Sequence, residues 1–315
     1  MLKVARLPQA VLDNHLTCLR KRFDNKMQTW PADRADLPPY ATGLRTYLVD
    51  QRDDILVGDS DRLRAIVHEI EAEYAVLTDY LRTRGGLEDE ERDGAAERLV
   101  VTLKELFNYQ TFSTKHKGWD AYKLVGAYKL RLCPYCQLHH VNYHAGSNPD
   151  DLELRPPLDH YLPRSVYPYL AVSIGNLVPS CHQCNSSIKG DRVPDPTMPH
   201  PMSVAPLLDV SFKTILTRTG SRAISGDDVK VELAAAGGSA AFAGFFRLQE
   251  RYQWYADEIA DMYERLEQWH AMSGGIADLP LAIPYALGFE VKHVDKRAVG
   301  RCLLELARRG LPTPI

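Results

Sequence analysis

Cysteine is scarce in this sequence, six residues in 315. A small secreted scaffold would be shorter and far denser in cysteine, so a disulfide framework is excluded as the organising device. Charge of one sign is lacking too. The net charge of −3 excludes a chain that grips nucleic acid or membrane through bulk positive charge. Long apolar runs are missing: MLKVARLPQAVLDNHL lacks the uninterrupted stretch of a secretory leader, and no later run reaches transmembrane length. A cytoplasmic location with no membrane partner is the expectation. There is no phosphate loop of the form GxxxxGK followed by Ser or Thr, so any ATP dependence would belong to another protein. What remains, 45% hydrophobic and 25% charged residues, is the balance of a globular chain able to bury a sizeable core.

Hydrophobic periodicity divides the chain into three parts. Residues 1–125 read as helical. Leu12, Leu16, Leu19 and Phe23 form a short stripe, and Leu63, Ile66, Val67, Ile70, Tyr74, Leu77 and Leu81 recur at helical spacing over 61–84. Asp59 or Ser60 is the expected N-cap there, and Gly85-Gly86 the stop. A further helix is predicted over 95–109, and TWPADRADLPPYATG reads as a proline-broken loop. Residues 126–195 lose this periodicity and hold the paired cysteines and five of the eleven histidines. Residues 196–315 open with a proline-rich connector. FKTILTRTG and VKVELAA then read as a short hairpin, Leu248 to Trp269 as one long amphipathic helix, and 295–309 as a last helix ending at Gly310.

The central part carries the chemistry. Cys133 and Cys136 in LRLCPYCQLHH and Cys181 and Cys184 in NLVPSCHQCNSSIKG repeat the CxxC spacing. A redox CxxC is a single pair, whereas two pairs supply the closed tetrahedral ligand set of a structural zinc. An iron–sulfur cluster also takes four cysteines, but the doubled knuckle favours zinc. Cys18 and Cys302 stand apart in helical segments and read as buried thiols. Closing the four ligands on one ion folds the intervening loop back on itself. That brings Asp159, His160, Asn176 and Asn185 toward one place, with the metal as a staple for a segment too small to hold itself by burial. Charge is locally positive there: nine Lys/Arg against six Asp/Glu from Lys115 to Arg192 leave +3, against −6 for the rest.

The ordered pattern CxxC, DHxxP, NL, CxxCN and KG resembles the HNH nuclease family over residues 131–192. The resemblance implies an α+β, mainly helical protein in which a ββα-metal core with a zinc site lies between helical flanks. LHHVNYHA and LELRPPLDHYL would be the two strands, joined by GSNPDD, and the helix would start near Cys184. It implies His160 as general base, a role suited to an imidazole near neutral pH. Asp159 and Asn185 would be oxygen ligands of a catalytic Mg²⁺ or Mn²⁺, and Asn176 would hold His160 in orientation. Lys189, one helical turn after Asn185, would touch a phosphate. Tyr167-Pro168 and the later FRLQERYQWYADEI further resemble the stand-alone HNH proteins of bacterial anti-phage defence, of which the Septu-type nuclease works beside an ATPase.

The function so implied is cleavage of phosphodiester bonds in DNA, for defence, with a partner ATPase or sensor and room for a homo-oligomer. Two other readings stand beside it: a non-catalytic zinc-knuckle module that binds nucleic acid or protein, and a ribonuclease acting on RNA such as tRNA. A one-metal site reads the phosphate and needs no 2′-hydroxyl. His139, His140, His144 and His182 read as residues of the strand surface or the knuckles.

Overall fold

The computed structural model describes residues 4–30, 34–116, 118–146, 153–203, 209–218, 222–273 and 279–311. The described residues are 57% helix and 8% strand, with two small sheets, a mainly helical α+β architecture. Among the described residues no helix is long and apolar enough to cross a membrane.

The N-terminal part is a stack of helices. α1 (Gln9–Met27) begins after Pro8 and buries His15, Leu19, Phe23 and Met27, one face at helical spacing. α2 (Ala41–Asp50) and α3 (Arg52–Val57) follow the proline-broken loop. The stripe over 61–84 is two helices, not one. α4 (Ser60–Glu73) is capped by the Asp59 carboxylate, which accepts from the backbone N–H of Asp61 and Arg62. It breaks at Tyr74, whose buried ring packs against Tyr40 and Tyr47, each at 6.5 Å, and α5 (Ala75–Thr83) resumes beyond. α6 (Gly94–Leu106) carries its own Asp93 cap, and α7 (Tyr109–Ser113) and α8 (Ala121–Tyr128) lead into the central segment.

The central segment corrects the expected strand pairing. β1 (Leu158–His160) pairs antiparallel with β2 (Leu177–Pro179), in the register Leu158 to Pro179, Asp159 to Val178 and His160 to Leu177. Of the expected hairpin between LHHVNYHA and LELRPPLDHYL, the His144–Leu154 bridge forms, with backbone bonds both ways at 2.9 and 3.0 Å. A second bridge ties Leu132 to His140. The expected GSNPDD turn lies, apart from Gly146, outside the described residues. Two prolines, Pro156 and Pro157, stand just ahead of β1 and withhold two ladder donors, so extended pairing restarts only at Leu158.

The hairpin after the connector forms with β3 (Val210–Leu216) and β4 (Val229–Ala235) antiparallel in full register. α9 (Gly237–Phe245), α10 (Leu248–Gln253), α11 (Ala256–Met272), α12 (Leu279–Leu287) and α13 (Gly300–Arg309) complete the chain. The long helix read from Leu248 to Trp269 is thus α10 and α11, interrupted at Trp254 and Tyr255.

Two hydrophobic cores result, and the central segment belongs to both. Leu158, Tyr167, Leu170, Val172, Ile174 and Leu177 are buried among the N-terminal helices. The four paired cysteines, Tyr135, Tyr161 and Val178 are buried with the hairpin and the C-terminal helices. Neighbouring residues Leu177 and Val178 enter opposite cores because side chains alternate along a strand.

Candidate metal centre and adjoining cleft

Cys133, Cys136, Cys181 and Cys184 are all free of disulfides and buried, and their sulfurs lie within 4.8 Å of one another. A tetrahedral site with Zn–S bonds of about 2.3 Å has edges of about 3.8 Å. The Cys136–Cys181 sulfurs, at 3.9 Å, already meet that spacing. Each CxxC is a knuckle whose backbone N–H groups turn toward sulfur: Leu138 N donates to Cys136 Sγ and Cys184 N to Cys181 Sγ, both at 3.4 Å. Gln137 closes the first knuckle at φ 58, in the left-handed region, and its carbonyl is held by Val299 N at 3.2 Å. Burial pushes the Cys133 thiol up. Cys136 falls well below the ordinary thiol range because Cys133, Cys181 and Cys184 all hydrogen-bond to it. This donor set fits a metal ion such as zinc.

The C-terminal part seals the cluster. Tyr252 Oη donates to Cys136 O and Tyr255 Oη to Leu138 O, both at 3.0 Å. Arg251 Nη1 lies 3.2 Å from Cys184 Sγ and also donates to Phe246 O. Burial works against the Arg251 charge, but the Cys184 and Cys136 thiolates hold it above its ordinary range. A cation there offsets part of the negative charge that four thiolates leave around a divalent ion.

Tyr135, between the first two cysteines, joins this cluster to the candidate acid. Its hydroxyl donates to Asp159 Oδ2 at 2.6 Å while its ring stacks on Phe246 at 4.6 Å. The other Asp159 oxygen faces Lys189 Nζ at 3.1 Å, and both side chains are 1% exposed. Burial pushes the Asp159 carboxyl up, and Lys189 and Tyr135 pull it back. Lys189 therefore differs from the sequence expectation. Its ammonium turns inward to Asp159 and to His160 O at 2.7 Å, where a buried lysine needs a partner, rather than outward to a phosphate.

His160 is held by a clamp on three successive carbonyls. Asn176 Nδ2 donates to Leu170 O at 3.2 Å, His160 Nε2 to Ala171 O at 2.9 Å, and His15 Nε2 to Val172 O at 2.9 Å. Asn176 also bonds both backbone groups of Leu162, at 2.7 and 3.0 Å. Asn176 was expected to orient His160; its side chain reaches the backbone that carries the imidazole's anchor instead. His15 is fully buried in α1 and accepts from Trp119 Nε1 at 2.9 Å through Nδ1, so both its ring nitrogens are satisfied in the neutral form. The N-terminal helices also press on the Asn176 turn: a Cβ on Gly175 would lie 2.3 Å from Gly58 O. Because a carbonyl only accepts, His160 carries its proton on Nε2 and leaves the Nδ1 lone pair available. Burial lowers its pKa to about 3, so the ring is neutral at pH 7.

Asp159, His160, Asn185 and Lys189 line one open cleft of about 510 Å³, with Tyr109 and Arg164 at its rim. Asn185 stands in the wide helical turn Gln183–Lys189, where Gly190 N reaches back five residues to Asn185 O, and its amide has no side-chain partner among the described residues. His139, His140, His144 and His182 are not among the residues lining the cleft. The sequence reading missed Tyr135, Arg251 and His15. The first two lie inside CPYC and ERY, quoted for other reasons; His15 gave no signal, being one apolar-face histidine of α1.

No protein-family model matches this chain, and no match is found among curated proteins or solved structures.

Proposed function

We propose that the protein is a metal-dependent HNH-type endonuclease that hydrolyses phosphodiester bonds in DNA. The observation that carries this reading is the shared cleft of Asp159, His160 and Asn185, braced on one side by the four-cysteine cluster through Tyr135. Asp159 and Asn185 offer hard oxygen donors facing one space, a set that fits Mg²⁺ or Mn²⁺ in kind, and two of the four lone-pair positions of an ionised carboxylate remain after Tyr135 and Lys189. When bound there, such a cation supplies charge stabilisation at the scissile phosphate and the leaving oxygen. The chain's own residues do the rest. His160, neutral and anchored through Nε2, takes a proton from water at Nδ1. Asn176 keeps the Leu162–Leu170 loop, and with it the Ala171 anchor, in place. Lys189 balances Asp159 in the interior. A role in anti-phage defence beside a partner ATPase accords with the absence of a phosphate loop and with the sequence resemblance.

The test is nicking of supercoiled plasmid with Mg²⁺ or Mn²⁺, comparing the natural chain with His160→Ala. Loss of at least a hundredfold in rate is expected on removing a general base (on the order of 10²–10⁴). Equal cleavage by both would end this assignment. One observation favours a second reading. Asp159 is already neutralised by Lys189, as suits a non-catalytic zinc-knuckle module, and that reading expects nucleic-acid or protein binding with no metal-dependent cleavage.

A further inference from the structure

Lys189 is turned inward, so the cleft needs other cations if a polyanion is to enter it. Arg164 lines this cleft, and Lys104 lines the neighbouring one. Arg164 is exposed, and its guanidinium lies over the Tyr109 ring at 5.1 Å. That ring in turn meets the His160 imidazole edge-on at 4.4 Å, so Arg164 is one aromatic ring away from His160. Lys104, on α6, is exposed as well. It lines a second cleft of about 560 Å³ that shares Tyr109, Arg164 and Asp191 with the first. The two clefts are therefore neighbours, one at β1 and the other at the N-terminal helices.

Among the described residues neither Arg164 nor Lys104 has a carboxylate partner. The other charges nearby are otherwise engaged. Arg84 pairs with Glu97 at 2.7 Å, Glu105 pairs with Lys26 at 3.5 Å, and Arg155 donates to the carbonyls of Pro156 and Ser113. Asp191 is the one acid shared by both linings. Burial first, then Arg84 and to a lesser degree Arg164, lower the Lys104 pKa, with Glu97 working against them. Unneutralised cations gathered along a groove are a cost to folding that a bound polyanion relieves.

We infer that Arg164 and Lys104 form a phosphate-backbone track, along which a nucleic-acid strand runs from the His160 cleft across α6 of the N-terminal part. The inference rests on the nuclease reading above and extends it, because it makes the N-terminal helices part of the substrate surface. Phosphate is common to DNA and RNA, so the track reads the backbone and leaves the sugar open.

The experiment measures binding of a fluorescent DNA duplex and, in parallel, a matching RNA strand by anisotropy, without added Mg²⁺ or Mn²⁺ and over a series of KCl concentrations. The full chain is compared with Arg164→Gln, Lys104→Gln, the double variant, and Lys213→Gln on the exposed face of β3 as a control. Each lost phosphate contact lowers the slope of log K against log salt by about 0.9 for duplex or about 0.7 for single strand. One such step is expected for each single variant, two for the double, and none for Lys213→Gln. Steps with one polymer alone identify the substrate, and steps with both support a track that reads phosphate only. Unchanged slopes in Arg164→Gln and Lys104→Gln would overturn the track, and if His160-dependent nicking persisted they would overturn it alone. Absence of binding to either polymer by the natural chain would overturn it too, and absence of metal-dependent nicking with it would take the nuclease reading down as well.

Discussion

At the scale of single residues, the informative groups are those whose chemistry conflicts with their surroundings. Lys189 is a lysine with 2% exposure, tolerable only because Asp159 and His160 O meet it. Replacing it with Met strands a buried carboxylate, and a loss of about 3–5 kcal/mol in unfolding free energy is expected, read from urea denaturation. A phosphate-contacting surface lysine would instead leave stability untouched, so a change within about 0.5 kcal/mol would reverse the assignment. Buried histidines make a second case. Burial lowers His15 to about 4 and His200 to about 3, against an ordinary 6.5. Both stay neutral in the folded chain while the unfolded chain takes up protons below pH 6.5. Stability is therefore fully present above that value and falls as pH drops from 6.5 toward 4 and 3. At pH 5 the expected loss is about 2 kcal/mol for each histidine relative to pH 7.5. A urea midpoint that stayed constant over this range would mean that these rings become charged inside the folded protein.

At the scale of elements, the loop between β1 and β2 has no regular structure beyond short turns, yet it holds the anchor of His160. Its order comes from Asn176 at its own end and, from outside, from His15 on α1 backed by Trp119. Under the nuclease reading, Trp119→Phe removes the indole donor while keeping an aromatic ring. It is expected to lower kcat about tenfold or more with KM within about twofold, since small displacements of a catalytic group are costly. His15→Gln, which can still donate to Val172 O, should recover part of the loss that His15→Ala causes. A kcat unaffected by His15→Ala in a folded protein would remove α1 from the positioning of His160. Much of this scale was legible in the sequence. The Asp59 cap, the β3–β4 hairpin and the four-cysteine grouping follow from local pattern. The breaks at Tyr74 and at Trp254–Tyr255 do not, because the spacing of apolar residues continues through them. Packing interrupts the backbone there: Tyr74 against two other tyrosines, and Tyr252 and Tyr255 toward the knuckle carbonyls.

At the scale of the molecule, the central segment is not a free-standing unit. Its strands send Leu158 and Leu177 into the N-terminal core and Val178 into the C-terminal one, and Arg251, Tyr252 and Tyr255 close the four-cysteine cluster from residues far along the chain. A fragment of residues 126–195 is accordingly expected to stay unfolded even with saturating zinc, because metal binding supplies ligand bonds but neither apolar partner surface. Far-ultraviolet circular dichroism and amide chemical-shift dispersion would check this. A dispersed, cooperative spectrum from the fragment would show that the zinc staple suffices.

The four thiols at CxxC spacing, and the Asp159-His160 and Asn185 neighbours between and beside them, were determined by the sequence. Ligand spacing is a local property, and closing four ligands on one point constrains what lies between. The tertiary structure decided which charges were already spoken for. It turned Lys189 inward onto Asp159, gave Asn176 backbone partners, brought His15 to the carbonyl beside the His160 anchor, and left Arg164 and Lys104 exposed in two neighbouring clefts. Those outcomes depend on burial and on contacts across more than a hundred residues of chain, as between His15 and Val172, and no local pattern encodes them.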